Sequence, residues 1–333
     1  MGKSRWSVSD APDLSGRTAV VTGANSGVGL ATASHLAHLG ARVVLACRNV
    51  EAAERARDVI VAEGGSGGHG GRISPDSRIS PDIEIVQVDL SELDSVRRAA
   101  DELVERFPTI DILVNNAGVM RAEREVTKDG VEMDFATNFL GHFALTGLLL
   151  GPLRAARGAR IVSVCSKLST VGRLDPDDLA MTTGYSAAAA YSRSKLAQAI
   201  FAVALQRRLA LLGDGAPSSV LAHPGATHSG VMRDQGVLSW LFSTPSLRWV
   251  RRTFIMDPAE GSLSSVRAAT DPGLLGGQYI GPGGFLELSG APVLVAPPEE
   301  TDDLRLARAL WESAEKATGV GFDLPDYPVN PQS

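Results

Sequence analysis

Two cysteines in 333 residues leave no disulfide framework to hold a fold together. Cys47 and Cys165 each sit in an apolar, strand-like run, and they read as buried reduced thiols rather than as a disulfide or a metal site. Lysine is also scarce: 5 Lys stand against 27 Arg. With abundant Ala and Gly, that bias points to a GC-rich bacterial genome and says nothing of function. Positive charge is not in excess either. The net charge of −6 argues against nucleic acid as the main partner. No apolar run reaches the length of a membrane span, and the opening Met1–Ser7 lacks the apolar core of a signal peptide, so a cytoplasmic protein is expected. His142, His223 and His228 show no metal-ligand spacing with Asp, Glu or Cys, and no metal is expected.

What the chain has is alternation. Short β-branched runs at Arg17–Thr22, Arg42–Cys47, Ile83–Val88, Asp111–Val114, Arg160–Cys165 and Ser218–Ala222 alternate with helical patterns, and a last short strand falls at Gln278–Ile280. The helices are expected near Ser26–Leu39, Glu51–Glu63, Glu92–Arg106, Gly130–Arg157 (with a break) and Ala187–Leu212. Strands flanked by helices in this order predict an α/β fold, a doubly wound parallel sheet of about seven strands. One segment, 64–82, breaks the pattern. It is Gly/Ser-rich and repeats Arg-Ile-Ser-Pro-Asp at Arg72 and Arg78, which reads as a flexible surface insertion or, less simply, a partner-binding loop.

Two clusters carry chemistry. Gly23, Ala24, Asn25, Ser26, Gly27, Val28 and Gly29 follow the first strand and open a helix. Glycines there let the backbone turn tightly and approach a pyrophosphate seated on the helix N-terminus. The spacing is Gly-x-x-x-Gly-x-Gly, not Gly-x-Gly-x-x-Gly. Farther on, Tyr191 and Lys195 stand four residues apart on one helical face. A nearby ammonium lowers a phenol's pKa and suits it to proton transfer near neutral pH. Tyr185 has Ala189 at the same offset and is a decoy.

These clusters, with Asn115-Asn116-Ala117-Gly118 after strand four, make the chain resemble the short-chain dehydrogenase/reductase superfamily from about residue 14 to 290. The strings Val44-Leu-Ala-Cys-Arg-Asn49, Thr137-Asn-Phe-Leu-Gly-His-Phe143, Tyr191-Ser-Arg-Ser-Lys-Leu196 and His223-Pro-Gly225 resemble its retinol-dehydrogenase-like and WW-domain-oxidoreductase-like branch, without a WW domain. The resemblance implies a single Rossmann-type domain over 1–333 and a nicotinamide cofactor. After the second strand Arg48 and Asn49 stand where a NAD-selective site carries an acid. A guanidinium suits a 2′-phosphate, so NADP(H) is expected over NAD(H); alternatively Arg48 is a solvated residue that either cofactor tolerates. Asp89 and Leu90 end strand three where the family binds adenine, although Asp89 is equally placed to cap a helix. Asn116, Ala117 and Gly118 line the adenosine and ribose side, and Asn115 ties adjacent strands. Pro224, Gly225 and Thr227 abut the nicotinamide or the phosphates, with Ser229 a rival to Thr227.

By the same resemblance Tyr191 gives or takes the substrate oxygen's proton, Lys195 lowers its pKa and holds the nicotinamide ribose, and Ser166 bonds the same oxygen. Ser163 and Ser169 are less well placed. Asn138 corresponds to the family asparagine that holds a water linking the lysine to solvent; read from the sequence alone it is as easily a buried polar residue satisfying a helix bend. His142 is expected to pack within its helix. Residues 229–256 lie where the family carries a substrate lid. Their aromatic and apolar makeup suits a hydrophobic small molecule, and Arg248, Arg251 and Arg252 either meet an acidic substrate or membrane surface or are simply solvated. Asp175–Asp178 and Ala187–Ala190 are expected to wall the site's mouth. The expected activity is hydride transfer between nicotinamide and a carbonyl or alcohol carbon. A non-catalytic NADP-binding sensor or scaffold, and an epimerase or dehydratase, are the rivals. A homodimer or homotetramer through the Gly130–Arg157 and Ala187–Leu212 helices is the family expectation.

Overall fold

The computed structural model describes residues 6–65, 81–227 and 256–327. The expected lid, with His228, Ser229 and the three arginines, lies outside these residues apart from Met256. So does the insertion at 66–80. The remainder of that insertion is regular: its first two residues finish a helix, and Asp82 accepts from Arg42 at 2.6 Å.

Eight strands form one sheet in the order β3-β2-β1-β4-β5-β6-β7-β8. They are β1 (Thr18–Thr22), β2 (Arg42–Cys47), β3 (Ile83–Gln87), β4 (Ile112–Asn115), β5 (Arg160–Val164), β6 (Ser218–Ala222), β7 (Tyr279–Pro282) and β8 (Pro292–Val295). β1 to β7 are parallel, and β8 runs antiparallel on the edge. The nine helices described are α1 (Gly27–His38), α2 (Val50–Gly65), α3 (Leu93–Arg106), α4 (Met133–Phe135), α5 (Gly141–Leu148), α6 (Leu150–Ala155), α7 (Ala187–Leu209), α8 (Pro258–Thr270) and α9 (Leu304–Thr318).

The central strands are apolar on both faces because both faces are covered. Along β1, Val20 joins one core with α3, α5, α7 and α9, while Ala19 and Val21 join another with α1, α2 and α8. That is a doubly wound Rossmann-type sheet. The strand order reverses between β1 and β4, so a crevice opens beyond the carboxyl ends of those two strands, where such folds bind ligands.

The sheet has eight strands rather than about seven, and β8 escaped notice because Pro292 opens it, a residue confined to strand ends and edges. Helices α8 and α9 were also not expected. The helix expected from Gly130 starts at Met133, because Gly130 has φ +80° and Glu132 caps the turn by accepting from the N–H groups of Asp134 and Phe135. It then passes through a π-helical turn, Ala136–Leu140, into α5 and α6.

The helices expected to pair two copies also pack within the chain. Phe143 and Phe201 meet Trp311 of α9 at ring-centroid distances of 5.3 and 5.6 Å, and Phe322 at 4.9 and 6.0 Å. Gly147 has no room for a Cβ, which would stand 2.8 Å from Val320. Among the described residues no helix is long and apolar enough to cross a membrane.

Candidate active site

The glycine turn sits at the crevice. Gly23 and Gly27 have φ of +64° and +58°, which side-chain-bearing residues rarely adopt. A Cβ on Gly29 would stand 2.4 Å from both Asn116 Nδ2 and the Gly23 carbonyl. The turn is therefore folded tightly against the end of β4. Ser26 precedes α1 in extended backbone and makes no side-chain cap, which leaves first-turn N–H groups for an anion. This cradle fits a dinucleotide pyrophosphate. Beneath it, burial pushes the Cys47 thiol up to about 11, and the N–H groups of Ala24 and Asn25 face its sulfur. Both cysteines are buried and free.

Thr22 ties the turn to its surroundings. Its Oγ accepts from the N–H groups of Asn116 and Ala117 at 2.9 and 3.0 Å and lies 2.9 Å from His142 Nε2. Asn116 Nδ2 donates to the Thr22 carbonyl at 2.8 Å. The strand tie expected of Asn115 is thus made by its neighbour. Asn115 is buried and structural in another way: its Nδ2 donates to Thr146 of α5 at 3.0 Å.

Arg48 projects from the end of β2, two-thirds exposed, with a guanidinium nitrogen 3.6 Å from Asp89. Asn49 caps α2, accepting from the Ala52 N–H at 2.8 Å. Asp89 is not a helix cap. It accepts from the Ser91 N–H and hydroxyl at 2.9 and 2.6 Å, a local turn ahead of α3. Leu90 points into the core. Thr227 is buried and bridges to Met256, and its methyl fills the space that a Cβ on Gly261 would need.

Tyr191 and Lys195 lie in α7, one turn apart. The Lys195 ammonium donates to the Val164 carbonyl at 2.8 Å and to Gln198 Oε1 at 3.0 Å, and it lies 6.0 Å from the Tyr191 ring centroid. Burial pulls Lys195 down to about 8. Burial also pushes Tyr191 up to about 12, opposed by its hydrogen bond with Ser166. Its hydroxyl pairs with that of Ser166. Ser166 lies two residues past β5 and also accepts from the Leu168 N–H at 3.2 Å. Its rivals are elsewhere. Ser163 is buried inside β5, and Ser169 donates to the Ser166 carbonyl at 2.6 Å. Tyr185 donates to the Arg121 carbonyl at 3.0 Å, away from any lysine.

Asn138 lies in the π-helical turn. Its Oδ1 accepts from the Val119 N–H at 2.8 Å, and its Nδ2 donates to the Val119 carbonyl and to Ser194 Oγ, both at 2.9 Å. A Cβ on Gly118 would stand 3.4 Å from Lys195 Nζ and 3.5 Å from Asn138 Oδ1, so these two side chains flank that glycine. The Asn138 carbonyl accepts from His142 Nδ1 at 2.9 Å. His142 thus joins Thr22 to Asn138 rather than merely packing in its helix. Burial pulls it down to about 3, so it is neutral. Two participants escaped the sequence reading. Gln198 links Lys195 to the Asn115 carbonyl, to which it donates at 3.1 Å; its signal was its place one turn after Lys195 in an apolar stretch. The second is Arg193, whose buried guanidinium lies over the Phe135 ring at 4.5 Å and donates to the Asp175 and Asp178 carbonyls, tethering the expected mouth wall to α7. Among the described residues no group of three His, Cys, Asp or Glu could hold a metal.

The family profile described as short chain dehydrogenase matches residues 17–232. Retinol dehydrogenase 14 of Mus musculus is 37% identical over 313 residues, covering 92% of this chain and 87% of that protein. Polyprenol dehydrogenase of Mus musculus is 37% identical over 316 residues, covering 93% and 86%. A crystal structure of an uncharacterized protein from Mycobacterium paratuberculosis superposes with a TM-score of 0.75 at 33% identity, covering 96% of this chain and all of that one. One described as an NAD(P) dependent gluconate 5-dehydrogenase from Beutenbergia cavernae, with NADP bound at low occupancy, gives 0.58 at 26% identity, covering 80% and 95%.

Proposed function

Since this chain belongs to the short-chain dehydrogenase family, in its retinol-dehydrogenase-like branch, and is an oxidoreductase of CH–OH and C=O groups, we propose that it reduces the carbonyl of a hydrophobic small molecule with NADPH. The observation that carries this reading is the pairing of the half-buried Tyr191 phenol with the Ser166 hydroxyl just past β5. A phenol that holds its proton at neutral pH is poised to give it to an oxygen gaining negative charge. Ser166 supplies a second hydrogen bond to that oxygen. Lys195, which donates to Val164 and Gln198, keeps its ammonium 6.0 Å from the Tyr191 ring centroid, one helical turn from the phenol. Asn138 fixes the Val119 segment against α7.

The cofactor's nicotinamide supplies the hydride. Its pyrophosphate would be held by Gly23–Gly29, its adenosine side by Asp89, Leu90, Asn116, Ala117 and Gly118, and its nicotinamide end by Pro224, Gly225 and Thr227. Exposed Arg48, flanked by Asn49, supports a 2′-phosphate and hence NADP(H) over NAD(H). A hydrophobic substrate is supported by Leu168 and Val171, which stand exposed just after Ser166, and by the long apolar alcohols in the relatives' names.

The test is a carbonyl panel followed by NADPH absorbance, running from small polar aldehydes to retinal and polyprenals. Turnover should favour the long apolar members. Tyr191→Phe should reduce turnover by at least about a hundred-fold while NADPH still binds. Wild-type turnover by that variant would remove Tyr191 from the chemistry.

A further inference from the structure

Beyond β7 the chain makes an unusual turn. Leu286 and Glu287, both side-chain-bearing, adopt left-handed backbone with φ of 52° and 59°. Such a conformation survives only where the surroundings hold it. Leu286 is largely exposed. Glu287 is the residue that is held, and from two directions. Its Oε1 pairs with Lys167 Nζ at 2.9 Å, and its Oε2 accepts from His223 Nε2 at 3.2 Å.

Both partners belong to the candidate site. Lys167 is next to Ser166. His223 is fully buried, kept neutral by that burial, and stands edge-on to Tyr279 at 5.2 Å. Its Nδ1 accepts from the Gly225 N–H at 3.3 Å, so the proton sits on Nε2, toward Glu287. The same turn grips the other side of Gly225: the Leu288 carbonyl accepts from the Ala226 N–H at 2.9 Å and lies 2.5 Å from where a Cβ on Gly225 would be.

We propose that Glu287 is a positioning residue that clamps the Ser166–Lys167 end of β5 to the His223–Gly225 turn after β6. It thereby sets the spacing between the hydroxyl that meets the substrate oxygen and the turn that faces the nicotinamide. This rests on the reading of Ser166 and Tyr191 as the reacting groups. The backbone strain at Glu287 is what the chain sustains to put a carboxylate between Lys167 and His223. Removing the carboxylate should loosen the site without weakening the fold.

The test uses the full chain and variants Glu287→Gln, Glu287→Gly, Lys167→Met, Leu286→Gly and Tyr191→Phe. Each is titrated with NADPH, the emission of the bound nicotinamide is recorded, Tm is measured, and turnover is followed on the best carbonyl of the panel. Glu287→Gly also relieves the left-handed backbone. It should hold or raise Tm while kcat falls about ten-fold or more and the bound nicotinamide emits more like free NADPH. Glu287→Gln should show the same spectral change. Leu286→Gly should keep wild-type emission and kcat. The effects of Lys167→Met and Glu287→Gln on kcat should not add in the double variant. Wild-type emission and kcat in both Glu287 variants would overturn the clamp, as would a loss of kcat that simply follows a loss of Tm. A fully active Tyr191→Phe would instead overturn the reading of the site, and the clamp with it.

Discussion

At the scale of single residues, cofactor preference turns on one exposed side chain. Among the described residues the Arg48 guanidinium pairs with Asp89, at 3.6 Å, and an exposed pair of this kind holds its partner weakly. The guanidinium is thus free to exchange Asp89 for a phosphate. Arg48→Asp should reverse the choice, because a carboxylate accepts from a ribose 2′-hydroxyl and repels a 2′-phosphate. The ratio of kcat/KM for NADPH over NADH should fall by at least about ten-fold, and an unchanged ratio would remove Arg48 from the cofactor site. The pair of Tyr191 and Lys195 was legible from spacing alone, and so was Ser166 from its place after a strand. The partners of the ammonium were not. Spacing told that Lys195 was near Tyr191, but only the packing of α7 on β5 shows that its ammonium donates to Val164 and Gln198.

At the scale of elements, α5 is joined to β1 by one neutral imidazole. His142 receives from Thr22 and donates to Asn138, an arrangement that needs an uncharged ring. Its pKa in the fold is about 3 against an ordinary 6.5, with burial the cause. Between these values the unfolded chain binds the extra proton, so stability is complete above about pH 6.5 and drains as the pH falls toward 3. Denaturant unfolding should show a loss of about 2 kcal/mol from pH 6.5 to 5 that His142→Gln abolishes. An equal pH slope in that variant would clear the imidazole of this role. The parallel strands and their helices were readable because β-branched runs and helical periods alternate without ambiguity. Helix α9 carried equally plain signals: Asp303 caps it, Gly319 ends it at φ +63°, and Leu310, Trp311 and Ala314 form its buried stripe. It lies past the stretch that resembles the family, where motifs no longer guide the eye. The π-helical turn at Ala136–Leu140 has no comparable mark in the sequence, since it is set by what Asn138 must reach on Val119 and Ser194.

At the scale of the whole molecule, α9 decides what α5 and α7 can touch. Nearly every residue of α7 is buried, and Arg208 lies over the Trp311 ring at 4.2 Å, closing the far end of the seam. Pairing of two copies through the Phe143 and Phe201 faces of these helices would require α9 to leave. Light scattering should therefore find a monomer, or an oligomer that survives Gln206→Glu on α7; dissociation by that substitution would place the interface on α7 after all.

The same seam has a meaning in time. A ribosome makes Phe143 and Phe201 long before it makes Trp311 and Phe322. Until those arrive, the nascent sheet has its strands and its glycine turn but carries an uncovered aromatic surface beside the helix that bears Tyr191. Chains interrupted before Trp311 should be the ones that chaperones retain and proteases clear. Quality control during synthesis would then discard chains whose catalytic helix lacks its cover.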